Sequence, residues 1–360
     1  RRGDFANWIV RDQNLASEVS QAGYGPVQGL ILIAPSAFAT DALPSVDLPI
    51  AALLPACDGD VSTLSGQDYY ESARLDPNRK RWATTVYLDG ANHNHFNAIL
   101  EPEAGLPDRP DCAGEAMLPA EDQQDFLVQY TLDYLHALYG DAKGASAARQ
   151  RLGIDPSAAV PSELYGYPVR LTVSQPAASR LALIQPQSEA ELEQNLLGGQ
   201  VTLGGATALF CPSGYYVPAN EPGTEPCKRV NFNQPGYPQQ WVLSWDTPQA
   251  ELRTLLPAGE GDLGGYAALH LRAALDPLSD LNAEGQPQSF TVELVDAAGG
   301  RARVVLPPLG RVEELEASIL SHGRGIAFDR SLEKPIENTG RNGISRRCDN
   351  FFDRVEDLAD

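Results

Sequence analysis

Short apolar runs, uninterrupted by polar positions, recur through the first part of the chain. Val27-Gln-Gly-Leu-Ile-Leu-Ile-Ala34 ends at Pro35. Pro49-Ile-Ala-Ala-Leu-Leu-Pro55 follows after a turn. Trp82-Ala-Thr-Thr-Val-Tyr-Leu88 comes after a helical stretch near 63–75. Runs this short, with no alternation, predict strands buried on both faces, as in parallel sheets. Helical patterns lie between and beyond them. Residues 4–20 predict a helix with Phe5, Trp8, Ile9 and Val10 near one stripe. From Pro119 to Tyr139, the residues Phe126, Tyr130, Tyr134 and Leu138 recur every four positions, with Leu127 and Leu135 beside them. Gly140 stands where a helix C-cap belongs. Helices alternating with buried strands predict an α/β architecture here.

The texture then changes. Residues 141–163, rich in Ala, Ser and Pro, read as a boundary. Beyond them come short strand-like segments separated by Gly, Pro and Asn: Val169–Val173, Leu181–Ile184, Trp241–Trp245, Tyr266–Leu271, Phe290–Leu294 and Ala302–Leu306. Phe290, Val292 and Leu294 alternate with Thr291 and Glu293, the period of a half-buried strand. The pattern predicts a β-sandwich of jelly-roll type. The expected organisation is a partial α/β domain over 1–145 and a β-rich accessory domain over 160–360. No internal repeat recurs at a fixed period.

Composition narrows the partners. The 360 residues carry a formal net charge of −21, which argues against nucleic acid, because phosphate binding needs a basic surface. No apolar stretch is long enough to span a membrane. Of five cysteines, Cys211 and Cys227 bracket a loop rich in Pro, Gly and Asn, where a covalent staple constrains most chain entropy. Cys57 and Cys112 form a second candidate pair, and Cys348 is left over. No C-x-x-C pair exists, so zinc-ribbon and thioredoxin readings fail. Disulfides imply an oxidising compartment, so the protein is expected to be secreted, extracellular or periplasmic.

Two loops carry the chemistry, each at the carboxyl end of a buried strand, where open α/β sheets place ligands. One is Leu54-Pro-Ala-Cys-Asp-Gly-Asp-Val-Ser62, the other Leu88-Asp-Gly-Ala-Asn-His-Asn-His-Phe96. Their order and context resemble the end of the α/β-hydrolase fold, in particular secreted serine esterases near dienelactone hydrolases, chlorophyllases and polyester hydrolases. The resemblance covers roughly residues 1–140. It implies that Asp58 in Cys57-Asp-Gly-Asp-Val61 is the triad acid, with Asp60 the second choice. It implies that His93 in Gly90-Ala-Asn-His93 is the base, with His95 second. In such a triad a serine attacks the ester carbonyl, the histidine takes and returns its proton, and the acid orients the imidazole.

The fold's chain order is serine, acid, histidine. No G-x-S-x-G motif occurs in the chain. Arg1-Arg-Gly-Asp-Phe5 starts where the family's nucleophile elbow would leave off, so the serine is expected just before Arg1, and the chain itself is expected to lack triad activity. Neither cofactor nor metal is expected, and the substrate is a small or polymeric ester. The β-rich part resembles, more weakly, galactose-binding-like sandwiches appended to secreted hydrolases, which implies a carbohydrate or surface ligand.

Plainer readings stand beside these. Asp58 and Asp60 fit a turn, since Asp-Gly is a turn dipeptide. His93 fits a loop or helix cap. Asp58, Asp60 and His93 around a metal would be a different enzyme. The whole chain could be a non-catalytic carbohydrate- or surface-binding protein. Trp241, Trp245 and Tyr266 read first as core residues and second as a sugar platform. His136 reads as a structural surface residue.

Overall fold

The computed structural model describes residues 13–37, 46–61, 64–100, 112, 116–212, 239–273, 290–305 and 315–320. The expected apolar stripe at Phe5, Trp8, Ile9 and Val10 lies outside them, as do Cys227 and Cys348. The chain forms two compact units, 1–261 and 262–360.

The first unit is built on a mixed five-stranded sheet. Its elements in order are α1 (Gln13–Gln21), β1 (Leu30–Ile33), β2 (Ile50–Cys57), α2 (Gln67–Leu75), β3 (Ala83–Asn92), α3 (Ala120–Tyr139), α4 (Ala142–Arg151), β4 (Glu163–Leu164) and β5 (Tyr167–Ser174). The strand order is β1-β2-β3-β5-β4. β1, β2 and β3 run parallel, and β5 adds antiparallel to β3. Every residue of β2 is buried, as the unbroken apolar run predicts for a strand covered on both faces.

Each face has its own core. On one, Leu53, Val86 and Leu88 meet Phe126, Tyr130 and Tyr134 of α3 and Leu152 just after α4. On the other, Ile50, Ala83 and Leu32 meet Tyr69, Tyr70 and Ala73 of α2. Tyr134 ties α3 to the strand entrances, its hydroxyl lying 2.8 Å from Pro49 O and 3.2 Å from Leu30 O. Gly29 permits that approach, because a Cβ there would sit 2.4 Å from the hydroxyl. Arg79, 1% exposed, turns its guanidinium toward the carbonyls of Val46, Leu48, Arg81 and Trp82, fixing the starts of β2 and β3. Among the described residues β1 pairs on one side only, and Ile33 there is exposed. An apolar edge of this kind invites pairing with another chain.

Three expectations need correction. The boundary read at 141–163 contains a helix: Asp141 caps it by accepting the Gly144 N–H at 2.7 Å, and its alanines favour it. Val169–Val173, expected in the accessory domain, instead extends the first sheet through β5. Leu181–Ile184 forms no strand; Leu183 O simply accepts the Leu196 N–H at 2.9 Å.

The rest of the first unit holds two antiparallel pairs, β6 (Val201–Gly204) with β9 (Glu251–Thr254), and β7 (Ala206–Cys211) with β8 (Gln240–Trp245). Trp241 is half-buried and Trp245 exposed, so Trp245 is no core residue. In the second unit, β10 (Ala268–Ala273) pairs with β13 (Leu315–Leu320), and β11 (Thr291–Val295) pairs with β12 (Arg301–Val305). The strands are antiparallel, in small two-stranded sheets. Among the described residues no helix is long and apolar enough to cross a membrane.

Candidate functional site

Strand register brings the two loops together. β2 and β3 run in parallel from Ile50↔Ala83 to Pro55↔Leu88, then slip so that Cys57 faces Asn92. The next residue on each strand is Asp58 and His93. The slip falls at Asp89-Gly-Ala91, where Gly90 has φ +72° and a Cβ would lie 2.7 Å from Ala116 O. Only glycine takes that conformation in that space without strain.

His93 Nδ1 lies 3.0 Å from Asp58 Oδ2 and 3.1 Å from Oδ1. An ionised carboxylate only accepts, so the ring carries its proton on Nδ1 and donates it to Asp58, leaving Nε2 as the basic nitrogen. Asp58 is 2% exposed. Its Oδ1 also accepts the backbone N–H groups of Asp60 (3.0 Å) and Val61 (2.5 Å). Those bonds satisfy a buried charge and hold the carboxylate toward the ring. The side chain of His93 keeps 23% exposure, enough for Nε2 chemistry at a surface.

The surroundings position both partners. Gln123, fully buried in the first turn of α3, accepts the Asn92 N–H at 2.9 Å and donates to Asn92 O at 2.6 Å. Asn92 donates to Cys57 O at 3.4 Å and accepts the Asn94 N–H at 3.1 Å. The residue before His93 is therefore clamped to the helix, to the acid strand and to its own turn. Neither Asn92 nor Gln123 was singled out in the sequence. Asn92 sits inside the histidine motif, but the contribution of Gln123 depends on tertiary packing that no local pattern encodes. Cys57 and Cys112 form the expected disulfide, one residue before Asp58. Cys211 is also disulfide-bonded.

The second choices fall elsewhere. His95, 8% exposed, turns Nδ1 to Leu118 O at 3.2 Å, and its own carbonyl accepts from Gln124. It is packed as a structural residue. Asp60 lies on the other side of the His93 ring, Oδ2 3.6 Å from Nε2, with a 71% exposed side chain. His136 is exposed, as expected. Among the described residues no three His, Cys, Asp or Glu side chains are placed to share a metal ion. A buried carboxylate on Nδ1 and a reachable Nε2 together make an oriented general base. Comparison with protein-family models, with curated proteins and with solved structures finds no match to this chain.

Proposed function

We propose that Asp58 and His93 are the acid and base of a Ser-His-Asp triad in a secreted carboxylic ester hydrolase of α/β-hydrolase type. The observation that carries this is the bond from His93 Nδ1 to a carboxylate 2% exposed, at the carboxyl ends of adjacent parallel strands. A turn aspartate has no need of burial behind an imidazole. The attacking serine belongs before Asp58 in the chain order of that fold. His93 Nε2 would take the serine proton and return it to the leaving alcohol, while Asp58 stabilises the imidazolium. The disulfides fit an oxidising compartment.

The test is hydrolysis of a neutral p-nitrophenyl ester by the full-length natural protein. His93→Ala and Asp58→Asn are each expected to lower kcat by roughly 10³–10⁴. Unchanged turnover in His93→Ala would overturn the assignment.

A second reading concerns the β-rich part. Leu243 and Trp245 are exposed on one face of the β7–β8 pair, a surface suited to stacking on a sugar ring. Retention of the protein on an immobilised glycan, lost in Trp245→Ala, would support a carbohydrate-binding role. Equal retention of the variant would exclude that hairpin.

A further inference from the structure

The His93 ring is flanked by two carboxylates, and only one belongs to the triad. Asp58 takes the Nδ1 side from a buried position, while Asp60 reaches the Nε2 side from solvent, at 3.6 Å. The same turn builds both. The Asp60 N–H is held by Asp58 Oδ1, so the backbone that fixes the buried acid also sets the position of the exposed one.

We propose that Asp60 is an electrostatic positioning residue on the Nε2 face of His93, favouring the imidazolium and disfavouring anionic esters at the reacting edge. The proposal rests on the triad reading, since it assigns a substrate class to that site. An opposite charge this close favours the charged ring. At 3.6 Å the carboxylate is beyond ordinary hydrogen-bond length, so it acts on Nε2 through its charge. A negative charge on that side of the ring repels a carboxylate or phosphate on the substrate, and leaves neutral and cationic esters as the preferred class.

Among the described residues, the two carboxylates placed against the ring nitrogens are Asp58 and Asp60. Gln123 and Gln124 of α3 are neutral, and His95 turns its Nδ1 to a carbonyl. Asp122 and Asp125 of α3 lie beside Tyr167 instead.

The test is an NMR titration of the His93 ring in the chain as it stands, which requires no turnover. Asp60→Asn should lower the titration midpoint by about half a unit at low salt, and the difference should shrink at high salt, as for any exposed pair. Asp60→Glu should restore most of it. Asp58→Asn should lower the midpoint further, with little salt dependence. A midpoint within 0.1 unit, or roughly the precision of such a titration, in Asp60→Asn would overturn the proposal. The hydrolase reading fails separately, on loss of any His93-dependent turnover. In the active protein, Asp60→Asn should raise kcat/KM for a carboxylate-bearing ester relative to its neutral analogue about threefold or more; an unchanged ratio would remove the substrate-class part.

Discussion

The parallel sheet and the antiparallel hairpins of this chain use similar residues to different effect. In β2 all positions are buried, and β3 is nearly so. In β12 exposed and half-buried positions alternate, and β11 has no buried residue. None of residues 239–271, 273 and 290–305 is buried. Apolar side chains in the sheet are sealed by helices on both faces, and Asp58, Asn92, Gln123 and Arg79 are held there by hydrogen bonds, with the buried Tyr130 hydroxyl an exception. The antiparallel pairs are more exposed to water, although the Trp241 ring nitrogen is buried. The proton transfer proposed for Asp58 and His93 needs a rigid, partly dry frame, and the sheet region has that character.

Substitutions can break this contrast. The largest expected effect is at Phe126, fully buried, stacked on Tyr130 and edge-on to Tyr165 and Tyr167. Phe126→Ala should cost about 4 kcal/mol of unfolding free energy, read by denaturant titration. A loss below about 1 kcal/mol would mean that the sheet core is not the stabilising element.

Next comes the disulfide. Replacing Cys57 and Cys112 together by Ser releases a closure spanning 55 residues and should cost about 3 kcal/mol. Because Cys57 adjoins Asp58, the His93 ring signals should broaden or shift as well. Sharp, unmoved signals would show that the acid turn holds without the bridge.

A third prediction concerns Asp68 in the first turn of α2. Burial, helped by the neighbouring Glu71, pushes its carboxyl from 3.8 up to about 7. The folded state then holds this proton more tightly than the unfolded chain does, so stability falls as pH rises between about 4 and 7 and is level above that. Asp68→Asn should remove that slope and stabilise the protein at pH 8 by about 2 kcal/mol, roughly half of what the full shift implies, because the residue is only half-buried and solvent screens it. Identical pH–stability curves for the two proteins would refute the half-buried, proton-holding Asp68.

The smallest effect belongs to the hairpins. Val304, half-buried opposite Val292, should tolerate Ala at a cost under about 1 kcal/mol. A loss as large as that of Phe126→Ala would erase the distinction between the two regions.

The parts legible in the sequence share one property, local completeness. The runs at 50–57 and 83–92 signal double-sided burial by themselves, and each acid or histidine loop directly follows its strand. That made Asp58 and His93 visible together. The run at 30–33 signals the strand but not its burial: only Leu32 is buried and Ile33 is exposed. β5 was visible as a strand through Val169, Leu171 and Val173, but its partner was not, because alternation specifies a face and not a neighbour. α4 was taken for a linker because its small residues show no wide apolar stripe; the Asp141 cap was the available signal. Leu181–Ile184 had the composition of a strand without a partner to pair with among the described residues. The opposite placements of Asp58 and Asp60, two residues apart, depend on how one turn folds around Oδ1, which no spacing rule conveys.

The most direct test of the central claim is labelling of the full-length natural protein with a serine-directed fluorophosphonate, followed by peptide mapping. The account predicts one modified serine, lying before Asp58 in the chain, and loss of labelling in His93→Ala. Labelling that persists in His93→Ala, or none in the wild-type protein, would contradict it.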